Sequence, residues 1–286
     1  MIQTSLAKIR IAIALLIVLT MIGCLPSANT SGTQRGGFNL MSLQDDIRLG
    51  QRTRDEIARN PQQFPILSER QFPDAYRHLR RITDAILNTG MIQYRNQFAW
   101  ELYIIRDDNT LNAFVTPGGY IYVYTGLIKY LDTEDQLAGV MGHEIAHADR
   151  RHSTTNLTKK YGLEVLTSLI LGETTHNTSL MGSLVRDLAG VGTGLASLSF
   201  SREAERDADE HSVYYLAKTN YQCNGAAGFF EKILASGKAG KTPVFLSTHP
   251  SSDSRVADIN KTAAKIGCQA KPSTIDSYQA FKRSLP

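Results

Sequence analysis

The sequence predicts an α+β domain, mainly helical, with one small β-sheet. Three observations carry that expectation. Helical patterning runs through residues 42–60, 74–90 and 132–152; β-rich segments fall together between residues 97 and 126; and the third helical stretch carries His-Glu-x-x-His at 143–147. At 286 residues and 42% hydrophobic content, the chain can bury one sizeable core.

The N-terminal end reads as an export signal. Lys8 and Arg10 precede an uncharged run from Ile11 to Ile22, which is too short for a comfortable membrane span, so residues 1–23 are expected to be a signal peptide. Gly23-Cys24 at the end of that run resembles the lipobox of a bacterial lipoprotein, with Met21 where leucine is usual. The resemblance implies a mature chain that starts at a lipidated Cys24 and hangs from a membrane by acyl chains. Leu25 after the cysteine implies the periplasmic face of the outer membrane; a soluble periplasmic protein is the alternative. Removing Lys8 and Arg10 with the leader, which holds no acid, lowers the net charge from +4 to +2. That field is too weak to suggest nucleic acid or a polybasic membrane surface. Once Cys24 is used for lipid, Cys223 and Cys268 remain as a pair for a disulfide in an oxidising compartment.

Residues 24–42 are rich in Ser, Gly and Asn and read as a flexible tether, with one folded domain over 43–286. Ser42 and Asp45 form a cap pair for a first amphipathic helix, and Leu79, Ile82 and Ile86 mark a second before Gly90. "QFAWELYIIRDD" is a strand, and "NAFVTPGGYIYVYTG" gives two more around Pro117-Gly118-Gly119, a hairpin. The motif helix then starts near Asp132 or Thr133, with early acids and late basic residues. "LVRDLAGVGTGLASLSF", residues 184–200, is apolar and Gly-rich and is read as a buried helix or a wall of the site.

On a helix, residues four apart lie about 40° from one another and about 6 Å along the axis, so His143 and His147 can face one point. Zn2+ suits that pair, and Glu144, about 100° round, can take a proton from water without binding the metal. A third ligand is required. His152 would lie about 180° from His143 on a continuing helix and so points away. The metzincin spacing also fails, since Arg150 and Ser153 stand where Gly and His are needed. "FSREAERDADEHS" offers Glu205 with Asp209 on one face, or Glu203 with Asp207, and spacing alone leaves both pairs open.

Four ordered blocks, "NAFVTPGGYIYVYTGLI", "GHEIAHADRRH", "SREAERDAD" and "STHPSSDSR", resemble the HtpX-like and CaaX-prenyl-protease-like family of gluzincin zinc metalloendopeptidases, in its exported lipoprotein branch. They run from Asn112 to Arg255, half the chain. The resemblance implies a zincin-like metalloprotease fold and selects Glu205 as third zinc ligand beside His143 and His147, with Asp209 orienting a ligand histidine. It implies Glu144 as base, and His249 as an oxyanion stabiliser or, in a latent form, the occupant of the open zinc position. It places Asn112 near the strand that pairs with substrate, and Arg255 as a group that steadies the site or touches substrate. Polypeptide substrates follow, with misfolded or unassembled envelope proteins implied by exported relatives. The alternative is a non-hydrolytic envelope assembly factor or chaperone on the same fold.

Overall fold

A computed structural model describes residues 38–159, 199–237, 244–250, 254–268 and 275–286. Cys24, the leader and most of the 184–200 run lie outside the described residues. The first helix, α1 (Leu43–Ala58), begins with a capping box in which the Ser42 side chain accepts from the Asp45 backbone and the Asp45 carboxylate accepts from the Ser42 backbone. Residues ahead of this helix are held as well. Asn39 Nδ2 donates to Thr154 Oγ1 at 3.0 Å and the Leu40 backbone to Thr158 Oγ1 at 3.1 Å, so residues 39 and 40 lie against the domain.

α2 (Pro73–Leu87) follows, with proline in its first turn, where the missing N–H costs nothing. Strands β1 (Glu101–Ile105), β2 (Ala113–Thr116) and β3 (Tyr120–Tyr124) form one sheet in the order β1-β3-β2. β2 and β3 are the expected hairpin, and Gly118 and Gly119 hold its turn at φ +79° and +85°, backbone that glycine adopts without strain. β1 runs parallel to β3, a pairing that no local pattern announces. Alternation divides the sheet cleanly. Leu102, Ile104, Val115, Ile121 and Val123 enter the main core, whereas Phe114, Tyr120, Tyr122 and Tyr124 pack on the other face with Ile57 of α1.

After the short α3 (Thr125–Tyr130) comes the motif helix, α4 (Glu134–Asp149), capped by the Thr133 side chain, which accepts from the Gln136 backbone. Every residue of α4 except Gln136 is buried, so this helix is the axis of the core rather than an amphipathic wall. α5 (Arg202–Leu216), α6 (Gly225–Gly237), α2 and β2 pack around it. Gly139 makes the α6 contact possible, because a Cβ there would lie 2.1 Å from the Ala226 backbone nitrogen. The turn α7 (Phe245–Thr248) and helices α8 (Arg255–Lys265) and α9 (Ile275–Arg283) complete the fold. A disulfide joins Cys223, between α5 and α6, to Cys268 beyond α8. Among the described residues no helix is long and apolar enough to cross a membrane.

Candidate metal centre

α4 delivers His143 and His147 from successive turns, and α5 delivers Glu205 and Asp209 from successive turns of its buried face. Ser201 sets where α5 starts, its side chain accepting from the Ala204 backbone. That phase decides between the two acidic pairs. Glu205 and Asp209 turn inward, whereas the Glu203 side chain is 75% exposed and Asp207 faces Arg150 and His152. His249, just after α7, comes down on the same point, its ring stacked on Phe245 at 4.3 Å.

The ligand atoms of His143, His147, Glu205 and His249 all lie within 4.8 Å of one another, and all four residues are buried. His143 Nε2 is 3.0 Å from His147 Nε2, 3.3 Å from His249 Nδ1 and 3.4 Å from Glu205 Oε2; Glu205 Oε1 is 3.1 Å from His249 Nδ1 and 3.5 Å from His147 Nε2. Donors around a tetrahedral zinc, with bonds of about 2.0–2.2 Å, stand about 3.3–3.6 Å apart, and these contacts, at 3.0–3.5 Å, come close to that spacing. Charge agrees with distance. Glu144, Glu205 and Asp209 bring three buried carboxylates against one buried cation, Arg255, a deficit that a divalent ion makes good. His143 is pushed up to about 9: burial acts to lower it, and Asp209 and Glu205 together override that. His147 lies well below its usual range, because burial and the neighbouring His143 outweigh Glu205.

Residues 73–263, more than half of the chain, match Peptidase family M48. The chain belongs to peptidase family M48. Members of this family are zinc-dependent metalloproteases, and the four-donor cluster of this chain offers a set of donors suited to zinc. It is 30% identical to the mitochondrial metalloendopeptidase OMA1 of Schizosaccharomyces pombe over 247 residues, 86% of this chain and 68% of the relative. It is 29% identical to the beta-barrel assembly-enhancing protease of Escherichia coli (strain K12) over 237 residues, 76% of this chain and 48% of the relative. Against OMA1 of Arabidopsis thaliana it is 33% identical over 159 residues, 55% of this chain and 30% of the relative. The chain thus spans about half the length of the beta-barrel assembly-enhancing protease it matches.

In this M48 peptidase Glu144 is 1% exposed, its Oε1 has no hydrogen-bond partner, and His249 Nε2 lies 3.4 Å from it. Burial raises its pKa, with His249 and His143 pulling the other way, so the carboxylate is a better proton acceptor than one in water. Asp209 Oδ1 sits 2.9 Å from His143 Nδ1, the position from which a carboxylate holds a ligand imidazole. Arg255 is 2% exposed. Its Nε and Nη2 donate to the two Asp209 oxygens at 2.7 and 2.6 Å, Nη1 lies 2.8 Å from Glu205 Oε2, and the guanidinium covers the Phe230 ring at 3.9 Å. Of the two roles expected for Arg255, this geometry favours steadying the carboxylates. The Nη1 contact is a close ion pair without hydrogen-bond alignment, which leaves Oε2 a lone pair for a metal. Asn112 is buried just ahead of β2, with Oδ1 unpartnered.

The expectation that His152 points away fails, because α4 does not continue. Arg150 caps it, Arg151 takes φ +56°, and a new helical segment starts at residue 152, turning the His152 ring back under His147. A left-handed arginine costs about 1–2 kcal/mol, and it is held by Asp46, whose Oδ2 and Oδ1 accept from Arg151 Nε and Nη2 at 2.6 and 3.0 Å. His152 still donates nothing to the cluster: its Nδ1 faces the far side of the His147 ring. Phe200, the last residue of the run read as a buried helix or a wall of the site, stacks its ring on His147 at 3.9 Å. His152 leaves no motif; only the kink at Arg151 brings it into place.

Proposed function

We propose that this chain is a zinc-dependent endopeptidase of the bacterial envelope, held at the periplasmic face of the outer membrane by a lipidated Cys24, that cleaves misfolded or unassembled polypeptides. The intact Glu144 beside the donor cluster carries the reading, since a purely structural zinc needs no buried base. His143, His147 and Glu205 are the three zinc ligands. Bound there, zinc supplies Lewis-acid activation of water and of the scissile carbonyl.

Glu144 takes a proton from the attacking water and returns it to the leaving amine, a task suited to a carboxylate whose pKa is raised by burial. Asn112 Oδ1 accepts from the backbone of a substrate strand laid beside β2. With zinc held by His143, His147 and Glu205, His249 would add a fourth protein donor and leave no open position, a resting form. Withdrawn from it, the His249 ring stays near enough to stabilise the oxyanion. Envelope location is supported by the leader ending at Cys24 and by the Cys223–Cys268 bond, and the substrate class by likeness to a beta-barrel assembly-enhancing protease.

The test is cleavage of an unfolded reference protein by the zinc-loaded chain beside Glu144→Gln, with membrane fractionation of wild type and Cys24→Ala. Cleavage that survives in Glu144→Gln sinks the mechanism, and wild-type protein found free in the periplasm sinks the anchor. Zinc binding with no cleavage in either form favours the assembly-factor alternative.

A further inference from the structure

His147 offers Nε2 to the donor cluster, so a metal there requires the ring proton on Nδ1. That nitrogen lies 3.0 Å from His152 Nδ1. Two imidazole nitrogens at this distance share one hydrogen, so His152 Nδ1 must accept it and keep its own proton on Nε2. The requirement is met: His152 Nε2 lies 3.1 Å from Asp207 Oδ2, and Arg150 Nε donates to the same oxygen at 2.8 Å. His152 is buried, and the Phe200 ring stacked on His147 fixes the plane that this chain of donors needs.

We propose that His152 and Asp207 are positioning residues that fix the tautomer and orientation of the zinc ligand His147, as Asp209 does for His143. This rests on the zinc site proposed above. The two histidines are then held unequally. His143 meets a carboxylate directly, whereas His147 meets one through a neutral imidazole, which passes on less electron density and makes His147 the weaker donor. The kink at Arg151 gains a purpose, since it is what returns residue 152 to this position.

The experiment measures zinc affinity by chelator competition on the full chain, stripped and reloaded, together with the visible absorption of the Co2+-substituted protein. His152→Phe keeps ring bulk but cannot accept a hydrogen, and should weaken zinc about 10–100-fold and shift the Co2+ bands, the scale on which partners of ligand histidines act. His152→Gln, whose amide oxygen can accept from His147, should recover most of the affinity and the wild-type bands; a role in packing alone would not be rescued this way. Asp207→Ala should lower affinity in the same direction but less, because His152 stays and only its tautomer is freed, and this variant carries the test if His152→Phe does not fold. Wild-type affinity and bands in His152→Phe, or in Asp207→Ala where the first is unfolded, overturn the proposal. So does a Gln variant as weak as the Phe variant. A wild-type chain that takes up no zinc refutes the site itself, a separate result.

Discussion

Arg255→Met removes the guanidinium from a buried group of three carboxylates while keeping much of the side-chain volume. In the wild-type chain the guanidinium contacts Asp209 at 2.6 and 2.7 Å and Glu205 at 2.8 Å, with both partners buried. Breaking a buried pair by deleting one partner costs about 3–5 kcal/mol, because the surviving charges keep their desolvation without their attraction. For a domain of this size each kcal/mol moves the melting temperature by about 2–4 °C, so the zinc-free variant should melt about 6–20 °C lower. Thermal unfolding followed by circular dichroism, on chelated and zinc-loaded protein, measures it. Zinc should recover part of the loss, since its two charges face the carboxylates that arginine has left. Arg255→Lys should recover less than half, because an ammonium cannot span Asp209 with two parallel bonds or cover Phe230 as the guanidinium does. A drop under about 1 kcal/mol in zinc-free protein would refute the pairing.

Glu144→Gln should bind zinc as wild type yet lose several orders of magnitude in kcat, which metal analysis and peptide hydrolysis together resolve. His249→Ala should keep zinc and bind a hydroxamate inhibitor, which needs the fourth position, more tightly than wild type; equal affinity refutes the resting form. The Cys223–Cys268 bond spans 45 residues, so replacing both cysteines by serine should cost about 4 kcal/mol by loop-closure entropy. Zinc stoichiometry should survive, because His143, His147 and Glu205 lie outside the loop; urea titration and metal analysis test both halves. Glu134, at the start of α4, accepts from Arg81, Tyr221 and Ser277 at 2.7, 2.6 and 3.0 Å. Burial acts to raise its pKa, but these partners together hold it below the usual glutamate range, so its stabilisation is present above the unfolded value and lost as pH falls through the folded one. Glu134→Gln should therefore cost about 1–3 kcal/mol at pH 7 and progressively less below about pH 4, read from paired melts.

Local chemistry made much of this fold legible. The Ser42–Asp45 box, the glycine turn of the hairpin and the Thr133 cap each act over four residues or so, and the structure has them where composition and spacing put them. Glu205 needed more. Two acidic pairs fit the spacing, and only the phase of α5, set at Ser201, turns one inward. What escaped was long-range or conformational. Extrapolating α4 through Arg151 sent His152 to the wrong side, because a left-handed arginine held by Asp46, more than a hundred residues earlier, leaves no trace of the kind glycine leaves. The parallel partner of β3 was hidden for a related reason, since it precedes the hairpin and joins it only in space. Helix α6 opens on Gly-Ala-Ala-Gly, a weak helical sequence stabilised by close approach to α4.

The bonds that Asn39, Leu40 and Met41 make to residues 151–158 set where force enters this protein. A pull on the N-terminal end of the chain meets those three residues before it meets α1. Asn39 and Leu40 hand it to the helical segment that starts at residue 152, and Met41 hands it to Arg151 itself, through the backbone oxygen that accepts from Arg151 Nη2. Load therefore arrives at the kink beneath His147 and not at the aromatic face of the sheet. A recombinant chain cut at Leu43, where composition places the boundary, would lose that connection and part of what secures Arg151; one starting at residue 38 keeps both.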